Sequence, residues 1–260
     1  MPLVNYSKDG GVAVFELHAP PANTYSYEMM KELDAAVLDA RMDESVHVLV
    51  LTGAGEKFFC SGADIHMLNR ATPEFKYSFC LHANETLNRL EQTPKLVIAA
   101  LNGHTVGGGF EVALAADLRV AKKDGGKLGL PEVKLGVLPG TGGTQRLARI
   151  LGRSRAIELM VTGKLMSFDE AQALGLVTAV LPEGSFRDRV LEYASEFVPP
   201  RKASMAVGRI KRAVVSGLES AFSEGLSLER ELQQQLFVSN DAREGISAHV
   251  EKREPRFQGS

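Results

Sequence analysis

Two short apolar runs, VHVLVLTG (residues 46–53) and KLVIAALNG (residues 95–103), each stop at a glycine, and each is followed by residues at helical spacing. Runs of this length, rich in valine, leucine and isoleucine, fit strands of a sheet buried on both faces. Before the first run, GVAVFELHAP (residues 11–20) alternates apolar and polar residues as a half-buried strand does. Ser26 stands where it can cap a helix whose Tyr27, Met30, Leu33, Val37 and Ala40 recur at three- and four-residue spacing. A second helix is expected from about Pro73 to Glu91, a third over the residues after Gly108, and a short strand near DLRVAKK (residues 117–123). Strand and helix thus alternate through the first half, which predicts an α/β core.

After Gly140 the pattern turns mostly helical, interrupted by an expected strand in LVTAVLP (residues 176–182). SGLESAFSEGLSLERELQQQLF (residues 216–237) puts Leu218, Phe222, Leu228, Leu232 and Leu236 near one helical face. A chain of 260 residues suits one large domain, or one domain with a helical appendage. The net charge of −2 gives no electrostatic case for nucleic acid or an acidic membrane as partner. The basic stretches AKK (residues 121–123) and GRIKR (residues 208–212) lack interleaved aromatics and are expected to be solvated faces. Cys60 and Cys80 lack metal-ligand spacing and are expected as free thiols in a reducing compartment. There is no basic-then-apolar leader and no apolar run near the roughly 20 residues of a membrane span, so the expectation is a cytoplasmic protein. The six histidines show no metal-binding spacing.

Four features could carry chemistry. In GHTVGGGFEVALAAD (residues 103–117), three glycines open a helix, where bare backbone N–H groups suit an anion or a developing oxyanion. They match neither the dinucleotide nor the P-loop pattern. Glu111 follows inside an apolar run; alone, it fits either a functional buried carboxylate or a solvated helix face. Glu132, after Pro131 in LGLPEVKLGVLPGTGGTQ (residues 128–145), fits a helix's first turn, where a carboxylate also simply answers the dipole. KFFCSGADI (residues 57–65) carries Ser61, Gly62, Ala63 and Asp64 from a strand into a loop; Ser61 lacks the nucleophile-elbow context, and Asp64 alone fits a cap. His104, beside the glycines, is expected to make one backbone hydrogen bond. Together, two small-residue loops able to offer N–H groups and two glutamates near helix starts are the equipment for enolate chemistry beside a carbonyl.

With those motifs, and with VTGKLMSFDEAQALGLVTAVLP (residues 161–182) and AREGISAHVEKREPRF (residues 242–257), the chain resembles the enoyl-CoA hydratase/isomerase (crotonase) superfamily from about Val12 to Gly259. The resemblance implies a spiral of β-β-α units over residues 1–196 and a C-terminal helical region over 197–260 that builds trimers, usually paired into hexamers. It implies an acyl-CoA thioester substrate, no separate cofactor and no metal. Carried over by motif, the oxyanion hole is the backbone N–H of Ser61 and of Gly108. Glu111 activates water for attack at Cβ, and Glu132 delivers a proton to Cα. Ala22, Gly62, Ala63, Asp64, Ile65 and Lys252 become substrate or CoA contacts, with Lys252 reaching a CoA phosphate from the neighbouring subunit. Tyr25 to Tyr27, Met67, Leu68 and residues 72–80 become acyl-pocket walls. The chain departs from the family where prolines occupy APPANTYS (residues 19–26) in place of a basic residue, and where His66 and His249 replace a common lysine and aromatic. The activity implied first is hydration of a 2-enoyl-CoA; the alternatives are double-bond isomerisation using mainly Glu132, RNA binding, or a non-catalytic relative.

Overall fold

The computed structural model describes residues 1–260. The chain runs β1 (Val4–Asp9), β2 (Val12–Leu17), α1 (Tyr27–Met42), β3 (Val48–Gly53), β4 (Phe58–Cys60), α2 (Ile65–Arg70), α3 (Pro73–Glu91), β5 (Leu96–Leu101), β6 (His104–Val106) and α4 (Gly108–Leu114). It continues through β7 (Leu118–Lys122), β8 (Lys127–Gly129), a 3-10 turn (Glu132–Leu135), α5 (Gly143–Leu151), α6 (Arg153–Thr162), β9 (Met166–Ser167), α7 (Phe168–Ala173) and β10 (Ala179–Leu181). The remainder is α8 (Phe186–Ser195), α9 (Ser204–Leu218), α10 (Phe222–Phe237) and α11 (Asn240–Glu251).

The apolar runs form the middle of a six-stranded sheet ordered β1-β2-β3-β5-β7-β10, parallel except for the β1–β2 hairpin. Both faces are buried, as the continuous runs require. Phe15, Leu17, Leu49, Leu51, Val97 and Leu101 turn into the main core with Met29, Met30, Leu33 and Val37 of α1. The alternate residues Val12, Val14, Val48, Val50, Leu96 and Ile98 pack on the other face against Val190 and Ala194 of α8. Ser26 caps α1 by accepting the Met29 N–H (3.3 Å).

A second sheet, ordered β4-β6-β8-β9, was not legible from the sequence because its strands are only two or three residues long. The chain alternates between the sheets: β3 leads to β4, β5 to β6 and β7 to β8, with helices after each pair, the β-β-α spiral expected. The glycines that end the two runs lie where one sheet hands over to the other. A Cβ on Gly53 would come within 2.3 Å of the Phe59 carbonyl oxygen, and one on Gly103 within 2.3 Å of the Lys57 carbonyl carbon. Within the second sheet, β4, β6 and β8 are parallel neighbours, so their carboxyl ends emerge side by side.

Two expectations for the helical half are corrected. Residues 216–237 are not one helix: α9 ends at Leu218 and α10 starts at Phe222, and only Leu232 of the five named residues is buried. A four-residue spacing persists across such a turn, so periodicity alone could not reveal the break. The GRIKR stretch is not wholly a solvated face either. Lys211 is buried, its Nζ 2.9 Å from Asp117 Oδ2 and 3.1 Å from the Lys95 carbonyl, while Asp117 also accepts the Val97 N–H (2.7 Å). This pair ties α9 to the starts of the interior strands β5 and β7. No helix is long and apolar enough to cross a membrane.

Removing one member of a buried ion pair strands the other charge. Lys211→Met should cost about 3–5 kcal/mol in denaturant unfolding, and Lys211→Met with Asp117→Asn should cost less.

Candidate active site

The three glycines and Glu111 belong to one tight corner between β6 and α4. Gly107 caps α4 at φ +58°, a left-handed conformation that glycine adopts without strain. At Gly108 the need is space: a Cβ there would lie 2.3 Å from the Tyr25 hydroxyl oxygen. Glu111 sits in the first turn of α4 and is 2 % exposed, which excludes the solvated-face alternative. The loop before α5 supplies its partners. The Thr141 and Gly143 N–H groups donate to Glu111 Oε1 (2.8 and 2.7 Å), and the Thr141 hydroxyl donates to Oε2. A buried carboxylate is tolerated only with such compensation.

Two arginines hold this arrangement from outside. Arg146 of α5 is buried; its Nη2 donates to Asn88 Oδ1 (2.8 Å) and Glu91 Oε2 (2.9 Å) on α3, and its Nη1 donates to the Thr141 carbonyl (3.4 Å). Arg119 of β7 donates to the Ala116 (2.6 Å) and Ala113 (3.4 Å) carbonyls at the far end of α4, and to the Leu176 carbonyl (2.6 Å). It thereby adds a donor to the Ala113 carbonyl and supplies one to the Ala116 carbonyl just past the end of α4. Neither arginine stood out in the sequence.

Glu132 begins the 3-10 turn rather than an α-helix, with Pro131 as the residue before it. Its Oε1 lies 3.0 Å from where a Gly107 Cβ would be, so both carboxylates border the glycine corner. Its Oε2 is buried without any hydrogen-bond partner. Burial first, and then the negative charge of Glu111, push the Glu132 carboxyl up to about 7, against the pull of its own backbone N–H and of Lys76.

The N–H accounting corrects the pair of oxyanion donors expected from the sequence. The Ser61 N–H donates to the Ala22 carbonyl (3.1 Å) and is spent. Tyr25 pairs with the next segment through the Gly62 carbonyl (3.0 Å) and the Asp64 N–H (3.0 Å), and the Ala63 N–H between them has no acceptor in the protein. The Gly108 N–H, first in its helix, has none either. The two loops meet closely, since a Cβ on Gly62 would lie 3.2 Å from the Gly108 nitrogen.

The remaining sequence candidates take varied places. Asp64 caps α2, accepting the His66 (2.8 Å) and Met67 (3.3 Å) N–H groups. Ile65 is exposed, and the Ala22 carbonyl is the partner of Ser61. Lys252 is the exposed, left-handed cap of α11 and has no hydrogen bond to the residues above. His104 Nδ1 accepts the Lys127 N–H (3.1 Å), the backbone role expected. Of the named pocket walls, Tyr25 stacks on Phe79 (ring centroids 5.7 Å) and Phe79 on Phe75 (6.2 Å), while Cys80 Sγ lies 3.2 Å from where a Gly140 Cβ would be. Thr141 escaped notice; its signal was a lone hydroxyl inside an otherwise bare PGTGG loop.

Known proteins are similar to this chain along nearly its whole length. Residues 7–260 match the family model described as enoyl-CoA hydratase/isomerase. The short-chain-enoyl-CoA hydratase of Clostridium acetobutylicum is 36 % identical over 247 residues, 95 % of this chain and 94 % of that one. The crotonyl-CoA hydratase of Syntrophomonas wolfei is 34 % identical over 251 residues, 96 % and 95 % of the two chains. The crystal structure of an enoyl-CoA hydratase from Geobacillus kaustophilus superposes with a TM-score of 0.96 at 45 % identity, covering 100 % of this chain and 98 % of that one. With its β-β-α spiral, its paired glutamates and these relatives along its whole length, the chain belongs to the enoyl-CoA hydratase/isomerase family.

Proposed function

We propose that this protein is an enoyl-CoA hydratase, adding water reversibly and syn across the 2,3 double bond of a 2-enoyl-CoA. The observation that carries the reading is the unequal pair of carboxylates beside two unpaired backbone donors: Glu111 held by three hydrogen bonds, Glu132 with a free oxygen and a carboxyl pushed up to about 7. The names of the full-length relatives from Clostridium acetobutylicum and Syntrophomonas wolfei support the same activity. In this reading the thioester oxygen lies on the Ala63 and Gly108 N–H groups, and each such donor is worth about 3–4 kcal/mol to the transition state. Glu111 takes a proton from water as it attacks Cβ. Glu132, protonated, delivers its proton to Cα. CoA travels with the substrate, so the reaction calls for no separate cofactor or metal. Isomerisation through Glu132 is the second reading; the buried Glu111, held by three hydrogen bonds and superfluous for a one-carboxylate shift, favours hydration.

The same proposal extends to assembly and setting. Residues 1–196 act as the catalytic spiral, and residues 197–260 build a trimer or a pair of trimers. Exposed Leu218, Phe222, Phe237 and Val250 on the terminal helices support that role, because isolated chains seldom leave so many large apolar side chains in water. The trimer would bring Lys252 of one subunit to the CoA phosphates of another. The unpaired thiols of Cys60 and Cys80 support a reducing compartment such as the cytoplasm.

Three measurements test these statements. Glu111→Gln and Glu132→Gln should each lower kcat for a short 2-enoyl-CoA by at least about 100-fold, followed by loss of enoyl thioester absorbance; full activity in either would refute the two-carboxylate mechanism. Because Glu132 must carry its proton, hydration should fall as pH rises through about 7, and a rate flat from pH 6 to 9 would contradict that assignment. Light scattering should return a mass that is a multiple of three subunits, and a clean monomer would refute the trimer.

A further inference from the structure

We infer that Tyr25 and Thr141 form a hydroxyl relay that positions Glu111, with Tyr25 donating to Thr141 and Thr141 donating to the carboxylate. This rests on the hydratase reading and adds two positioning residues to it. All three side chains are buried, at 3 %, 2 % and 2 % exposure. The direction follows from counting protons. A hydroxyl has one to give. The Thr141 hydroxyl directs its proton to Glu111 Oε2, since an ionised carboxylate only accepts. The Tyr25 hydroxyl, 3.3 Å from Thr141 Oγ1, is then the donor in that contact. Burial and the nearby Glu111 charge push the Tyr25 phenol well up, which keeps its proton in place.

The relay settles which carboxylate oxygen does the work. Oε1 accepts two backbone N–H groups and is saturated. Oε2 accepts only the Thr141 hydroxyl, which leaves it one lone pair for water. The backbone donors alone pin one end of the carboxyl group; the hydroxyl pins the other and fixes its plane. Tyr25 is locked in turn by stacking on Phe79 and by its close fit over Gly108, the second oxyanion donor. One tyrosine thus braces both the helix that carries the donor and the threonine that orients the base.

The test is steady-state hydration of a short 2-enoyl-CoA by wild type, Thr141→Val, Thr141→Ser, Tyr25→Phe and the Thr141→Val/Tyr25→Phe double variant. Thr141→Val keeps the backbone N–H and loses only the hydroxyl. It should lower kcat about tenfold or more with KM within about twofold, as expected when a hydrogen bond to a charged, positioned base is lost. Thr141→Ser should recover most of that loss. Tyr25→Phe should lower kcat severalfold alone and add nothing on the Thr141→Val background, since it acts through the missing hydroxyl. Wild-type kcat in Thr141→Val, no recovery in Thr141→Ser, or multiplied losses in the double variant would each overturn the relay. Should Thr141→Val not fold, Tyr25→Phe decides alone, and an unchanged kcat there overturns the proposal. A wild-type protein without hydration would instead sink the underlying function, so the two failures are distinguishable.

Discussion

The buried Glu111 carboxylate is the constraint around which the centre of this molecule is arranged. A charge 2 % exposed among Phe110, Val112 and Leu114 would be untenable without full hydrogen bonding. The 139–143 loop must therefore come back over α4, and it reaches there because Arg146 clamps it to Asn88 and Glu91. At its other end, Arg119 of β7 donates to the Ala113 carbonyl and to the Ala116 carbonyl just past α4. The carboxylate and the two arginines together link α3, α4, α5 and β7 through polar contacts, in a region where apolar packing alone would permit several arrangements.

The two glutamates show how position separates the duties of identical side chains. Glu111 receives three donors aimed from a fixed loop. Glu132 lies at the start of a 3-10 turn, half-buried, with one oxygen lacking any donor and with the Glu111 charge beside it. The first arrangement holds a carboxylate in place; the second favours a carboxylic acid. Raising one carboxyl of a neighbouring pair is a usual way to obtain an acid beside a base at one pH.

Much of this was legible in the sequence, and the exceptions share a cause. The two apolar runs, their glycine ends and the Ser26 cap are local signals, and each appears in the fold where expected. The glutamates were legible as candidates but not as partners, because the donors to Glu111 come from 30 and 32 residues away. Lys211 looked like a surface charge because its partner, Asp117, is remote in the chain. The motif points to Ser61 and the fold leaves the Ala63 N–H free instead, because a motif says which segment offers an N–H, whereas the direction of each N–H depends on the segment it pairs with. Here that segment is 22–25, through the Ala22 carbonyl and Tyr25.

The spiral itself explains why these groups converge. β4, β6 and β8 are adjacent and parallel, and neighbouring strands lie only about 5 Å apart. The residues just past their carboxyl ends must therefore cluster. Those residues are Ala63 after β4, Gly108 and Glu111 after β6, and Glu132 after β8. Each turn of the spiral contributes one short segment to the same place, so the 69 positions between Ala63 and Glu132 collapse into one corner. The larger sheet carries none of these groups; its work is to hold the short strands in register. Substitutions in its apolar strands should then act on stability, whereas changes in the three short loops act on chemistry, because only the loops bring their backbone N–H groups and carboxylates to the shared end of the small sheet.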